Sequence, residues 1–222
     1  MLKFSCGNSK LNALANHLEL HHNQVVCFDL PAGWTCPCAD ICFSKANRDT
    51  GHITDGKNCK IRCYAASGEA LYPQARKLRW HNYDTLREST DMVDTILSSI
   101  PNNVKVIRVH SSGDFFNLEY YQAWLKVATI RYDLVIFGYT KRADYLKTFG
   151  TGGMHMVYSH GGKLDNLKHG YPVCYIETPE NEYPNILPAC EKNPYDDFYF
   201  ITEYKISFKL KVHGTQPKKG KK

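Results

Sequence analysis

Residues 104–141 read VKVIRVHSSGDFFNLEYYQAWLKVATIRYDLVIFGYTK, and this stretch decides the fold. Residues 104–109 are rich in β-branched side chains and read as a strand. His110-Ser111-Ser112-Gly113-Asp114 follows as a turn, with Gly113 free to take a tight backbone conformation. Over residues 117–130, Leu118, Tyr121, Trp124, Leu125 and Ala128 recur at helical spacing. Residues 134–137 are a second apolar strand, followed by Gly138-Tyr139-Thr140-Lys141. Strand, helix, strand with short joints is the unit from which parallel sheets are built.

The same alternation extends outward in both directions. Upstream, residues 25–28 form a strand ended by Asp29-Leu30-Pro31-Ala32-Gly33, and residues 9–22 read as a helix. Residues 69–100 carry the longest helical pattern; Pro73 suits only a first turn, and Ser89-Thr90-Asp91 marks a capped break. Downstream come a short helix near 143–149 and strands at 154–158, 171–176 and 198–201. The expected fold class is α/β: a parallel sheet, open or partial-barrel-like, with helices packed outside and a cysteine-rich loop. The strands are too few for a closed eight-stranded barrel. Residues 1–210 are expected as one domain and 211–222 as a basic, disordered tail.

In such sheets ligands sit beyond the carboxyl ends of the strands. Those ends carry His110, Ser112, Asp114, Thr140, Lys141, Ser159, His160 and Cys174. Lys141 is a candidate anion binder. Asp114 either contacts a ligand or shares helix capping with Asn117. Arg76, Trp80, Tyr83 and Arg87 share one stripe of the long helix. A stacking surface for bases is conceivable there, but packed aromatics with snorkelling arginines are favoured.

Nine cysteines stand at 6, 27, 36, 38, 42, 59, 63, 174 and 190, and five of them crowd into residues 36–63. An odd count in a chain with no secretory h-region argues for thiols in a reducing cytosol rather than disulfides. A loop has little core to fill, so the crowding points to metal chemistry. The spacings are Cys36-x-Cys38, Cys38-x3-Cys42 and Cys59-x3-Cys63, with no Cys-x2-Cys knuckle. Scattered thiolates suit the corners of an iron–sulfur cube. Zinc stays open as an alternative, with His17, His21 and His22 as weaker nitrogen donors.

The sequence excludes several classes. No apolar run reaches the ~20 residues a membrane helix needs. Neither a Walker loop nor a dinucleotide-binding fingerprint is present. Subtracting the four tail lysines from the net charge of +6 leaves about +2. Nucleic-acid contact is therefore expected to be weak and confined to the basic tail.

Several separated motifs resemble the bacteriophage gene-product-eighty-eight family. They are Leu30-Pro31-Ala32-Gly33-x-Thr35-Cys36-Pro37 with Cys42, then Arg62-Cys63-Tyr64-Ala65, then Arg108-x-His110-x-Ser112-Gly113-Asp114-Phe115. Tyr121, Trp124 and Tyr139-Thr140-Lys141 follow in order, so the resemblance covers roughly residues 25–180. It implies a phage-encoded protein, placed in the host cytoplasm, with a [4Fe–4S] cluster and a fold related to radical-SAM barrels. Cys36, Cys42 and Cys63 match the family's thiols. Cys174 is the expected fourth ligand, with Cys59, Cys38 and Cys190 as competitors. The family's richer C-terminal cysteine group is reduced here to Cys174 and Cys190. His110, Asp114 and Lys141 are expected beside the cofactor. Four thiolates would close the cluster for a structural, electron-transfer or redox-sensing role. Three would leave one iron open to S-adenosylmethionine, but Lys45 stands where the radical-SAM pattern has its third cysteine. The closed cluster is the preferred expectation.

Overall fold

In the computed structural model the described residues are 1–6, 9–178, 180–189, 193, 195–212 and 216. The sheet is built from β1 (Val25–Phe28), β4 (Val106–Val109), β5 (Val135–Thr140), β6 (His155–Ser159), β7 (Val173–Glu177), β8 (Leu187–Pro188) and β9 (Phe208–Lys211). Its spatial order is β1-β4-β5-β6-β7-β9-β8, and every neighbouring pair is parallel. β1 and β8 remain as edges, so the sheet is open, as expected. A small antiparallel pair, β2 (Ser44–Ala46) with β3 (Ile53–Asp55), lies inside the cysteine-rich loop.

Strand side chains alternate between two faces. One face presents Val26, Phe28, Ile107, Val109, Ile136 and Met156. Packed on it are α3 (Pro73–Glu88), α4 (Met92–Leu97), α5 (Leu118–Ile130) and α6 (Ala143–Phe149), through residues such as Leu86, Ile96, Trp124 and Leu146. Strands added in nearly sequential order, joined by crossovers of one hand, bring the connecting helices to the same face. The other face presents Val25, Cys27, Val106, Phe137, Val157, Cys174 and Phe208 to α1 (Ser9–His17) and α7 (Asp196–Thr202). Trp124, the largest fully buried side chain, anchors the first core.

The expected helix over 69–100 is three helices. α2 (Tyr64–Leu71) ends at Tyr72, and Pro73 opens α3, where its missing N–H costs nothing. Asp91 caps α4 by accepting from the Asp94 amide at 3.0 Å. α1 stops at His17, short of residue 22, and Glu19 takes a positive φ of 55°. Residues 198–201, expected as a strand, lie in α7. Phe198 and Ile201 face the core one turn apart, and Asp196 and Asp197 complement the helix N-terminus. A four-residue apolar run does not distinguish the two states by itself. The strand in that region is instead β9, where Phe208-Lys209-Leu210-Lys211 alternates on the sheet.

β9 crosses the expected domain boundary at 210. Beyond it, Gln216 exchanges two hydrogen bonds with the Arg62 backbone. The other tail residues, 213–215 and 217–222, lie outside the described ones. No helix among the described residues is long and apolar enough to cross a membrane.

Gly138 sits where β5 crowds β4, and an added Cβ would overlap the Val109 carbonyl. Gly138→Ala is expected to lower unfolding stability by about 1–3 kcal/mol, measured by urea denaturation.

Candidate functional site

The loop that leaves β1 runs across the carboxyl ends of the sheet. Leu30 N–H donates to the Ser112 carbonyl at 3.0 Å, beyond β4. Ile41 N–H donates to Gly161 at 3.2 Å, and Lys163 N–H donates to Cys38 at 2.9 Å, both beyond β6. Gly113 has a φ of 87°, and a Cβ there would strike Leu30 and Thr35. The glycine therefore lets the β4 turn and the loop approach each other closely.

An ion-pair network holds this loop down. Asp29 Oδ1 accepts from the Ser111 and Ser112 amides at 2.8 and 3.1 Å, and from Ser111 Oγ at 2.8 Å. Glu69 Oε1 accepts from the Ala32 amide at 2.8 Å and Ser112 Oγ at 3.2 Å. Arg79 reaches both acids, Glu69 at 3.0 Å and Asp29 at 3.4 Å. Arg79 and the hydrogen bonds hold Asp29 below the usual carboxylate range against the opposing effect of burial. Burial wins at Glu69 and pushes it up. Arg76 does not form a nucleic-acid surface. It is buried and donates to the carbonyls of Arg48, Asp49 and Glu69, while Trp80 packs on Trp34. Trp80 is packed as favoured, whereas Arg76 is buried rather than snorkelling and Arg87 is exposed.

On this frame the loop thiols gather. Burial drives Cys36 well above the ordinary thiol value; the negative charges of Asp114, Cys63 and Cys42 add to the rise, and the Gly33 amide, 3.3 Å from Cys36 Sγ, opposes it. Cys63 is raised to about 11, first by burial and then by Cys42; the Ala66 and Ala65 amides at the start of α2 pull the other way. Cys42 and Cys63 are thus near enough to Cys36, and Cys42 to Cys63, for their charges to be felt across the loop. Cys59 stands at the edge of the group. Its Sγ lies 3.6 Å from Ser44 Oγ, which accepts the Cys63 amide at 3.3 Å, and Cys42 is among the charges acting on it. No group of three His, Cys, Asp or Glu side chains among the described residues is arranged for a single metal ion. His17, a weaker donor for zinc, instead stacks on Tyr195 with ring centres 4.1 Å apart.

Cys174 lies elsewhere. It is buried in the apolar layer with Val25, Cys27 and Phe208. Burial lifts it to about 12, and the strongest charges on it are Asp197, Lys141, Lys10 and Arg108. Cys38 is half-exposed with Arg142, Asp144 and Asp114 as its main charged neighbours. Cys190 is outside the described residues.

The expected cofactor neighbours are engaged internally. Asp114 accepts from Thr140 Oγ1 at 2.7 Å and from the amides of Phe115 and Lys141 at 2.8 and 2.9 Å. Asn117, not Asp114, caps α5 by accepting from Tyr120 N–H at 2.9 Å. Lys141 Nζ spends its three donors on the Ser159 carbonyl, Ser159 Oγ and the His160 carbonyl. His110, at a positive φ of 68°, shares a 2.8 Å hydrogen bond with Tyr120, while its Nδ1 is buried without a partner. Asp29, Glu69 and Arg79 carry no motif signal. Their one legible hint is that an acid ends a strand at the rim.

An open parallel α/β sheet with a thiol-bearing loop laid across its strand ends is the class these features define. The chain belongs to the Gene product 88 family, whose pattern matches residues 1–218. It is similar to the Gene 88 protein of Mycobacterium phage L5, 29% identical over 120 residues, and to that of Mycobacterium phage D29, 30% identical over 121 residues. Each match spans 49% of this chain and 46% of the relative. No solved structure matches the chain.

Burial lowers His110 from 6.5 to about 3, so the folded protein holds it neutral. Below pH 6.5 the unfolded chain binds a proton that the folded chain rejects until about pH 3, and stability falls with pH across that window. Between pH 6.5 and 5 the loss is about 1.6 kcal/mol, because the slope is half of ~1.4 kcal/mol per pH unit at pH 6.5 and approaches it by pH 5. In denaturant titrations at the two pH values, His110→Gln should show a shallower fall by that amount.

Proposed function

We propose that this protein binds a [4Fe–4S] cluster at the loop over the strand ends, through Cys36, Cys42 and Cys63. The observation that carries this is the gathering of three half-buried thiols from two parts of one loop, with Cys42 and Cys63 close enough to Cys36, and Cys42 to Cys63, for their charges to be felt. A cube spreads its thiolates over separate corners, whereas a lone zinc ion needs its donors drawn around one point. The chemistry of the donor set fits the first case. The Gly33 amide at Cys36 and the helix start at Cys63 both favour thiolates.

Cys59 takes the fourth corner in this proposal, in place of Cys174. It belongs to the same loop, neighbours Cys42, and shares Ser44 with Cys63. Cys174 would have to leave the packed layer it occupies with Phe208. With four thiolates the cluster is closed and serves as a structural staple or a one-electron carrier. One observation favours the second possibility, an open iron. The Cys59 thiol already donates to the Ile61 carbonyl at 3.2 Å, whereas Cys36, Cys42 and Cys63 make no such donation among the described residues.

Anaerobic reconstitution with iron and sulfide assays and visible absorbance tests this proposal. Cys36→Ala, Cys42→Ala and Cys63→Ala should each lose most of the bound iron, and Cys174→Ala should keep it. Cys59→Ala should destabilise the cluster if it is closed. Full cluster in that variant, with an electron-resonance signal altered by S-adenosylmethionine, would establish the open iron. Retention of full iron by both Cys36→Ala and Cys63→Ala would sink the proposal.

A further inference from the structure

Arg108 lies on the sheet face opposite α5, near the carboxyl end of β4, between the edge strand β1 and β5. Only 9% of it is exposed. Its guanidinium sits 5.2 Å from the centre of the Tyr139 ring. It makes no hydrogen bond and no ion pair among the described residues, and its Nε is fully buried without a partner. A guanidinium has five donors and a charge that is costly to desolvate, so natural interiors pair it.

The groups around it do not meet that need. Tyr64, Tyr139, Asp197 and Cys27 are the negative or polar groups that act most strongly on it, and Asp29 also feels its charge. Asp197 Oδ2 is held by Lys10 at 2.7 Å and by Tyr139 OH at 2.5 Å. Asp29 is shared by Arg79, Ser111 and Ser112. Tyr64 OH donates to the Ser111 carbonyl. A cavity of about 10 Å³ beside Arg108, lined by Lys10, Phe137, Asp197 and Phe198, has room for one water at most. Nε is fully buried, whereas the two Nη groups, which make no hydrogen bond among the described residues, are not.

From this unpaired guanidinium between Tyr64 and Tyr139 we infer a binding site for a small molecule bearing a carboxylate, which takes the Nη donors of Arg108 at the mouth of the sheet. A planar carboxylate matches the fork of a guanidinium. A monoanion is favoured over a phosphate dianion because Asp197 and Asp29 already place negative charge nearby. Tyr64 directly follows Cys63, so the bound molecule would lie next to the thiol group. The site stands whether or not a cluster is present.

Thermal unfolding of the full chain in sodium acetate, inorganic phosphate and sodium chloride at matched ionic strength tests the inference. Acetate should raise Tm saturably, by about 3–5 °C at ten times its half-saturating concentration, relative to chloride. Arg108→Gln should abolish that rise. A rise in phosphate but not acetate, or an equal rise in Arg108→Gln, would overturn the assignment. Should that variant fail to fold, phenylglyoxal labelling of the unaltered chain, mapped by mass spectrometry, replaces it. Acetate should then slow modification of Arg108 and leave the exposed Arg48 unaffected; equal rates with and without acetate at Arg108 would refute the site.

Discussion

Arg79, placed between Asp29 and Glu69, is the interaction on which the site depends. Asp29 ends β1 and grips the turn after β4, while Glu69 in α2 grips the loop at Ala32. The guanidinium joins the two acids and also donates to the Ala65 carbonyl. Removing one member of such a buried set leaves charges without partners, at a cost of about 3–5 kcal/mol. The loop has little apolar packing of its own; Ala32, Ala65 and Ala66 form only a minor cluster. Electrostatics, rather than core burial, therefore holds the thiols over the strand ends.

That arrangement sets the chemistry of the thiols. Cys36 and Cys63 hold their protons at neutral pH, because loss of solvation disfavours the thiolate and the neighbouring negative charges add to that cost. Iron would reverse this balance by supplying the positive charge that the loop lacks, and binding would release protons. Cys27 and Cys174 are also raised, with burial again the first cause, but they sit in an apolar layer away from the loop thiols, which suits small core side chains. The same shift in pKa thus has two meanings, separated by what surrounds the sulfur.

Much of the fold was legible. Strands at 25–28 and 106–109 follow from β-branched runs between turn residues, the apolar run at 134–137 marks only the first part of β5, and Asp91 and Pro73 mark helix starts by their own chemistry. Residues 198–201 were not legible as a helix, because four apolar residues carry no period. The rim residues were legible by position and not by role. Asp114 and Lys141 stand at strand ends as expected, yet their polar atoms bond to neighbouring turns. Hydrogen-bond partners come from residues far along the chain, and no local pattern encodes them.

By itself, the amino-acid order determined an open parallel α/β sheet, a polar rim, and a loop dense in sulfur, because periodicity and turn chemistry act over short stretches. Only the tertiary structure decided which sulfurs are neighbours. It set Cys59 beside Cys42 and Cys63, and it turned Cys174 into the packed layer, because the pleat assigns alternate residues of β7 to opposite faces. It also left Arg108 without a hydrogen-bond acceptor among the described residues, since burial of a charge depends on every element that closes around it.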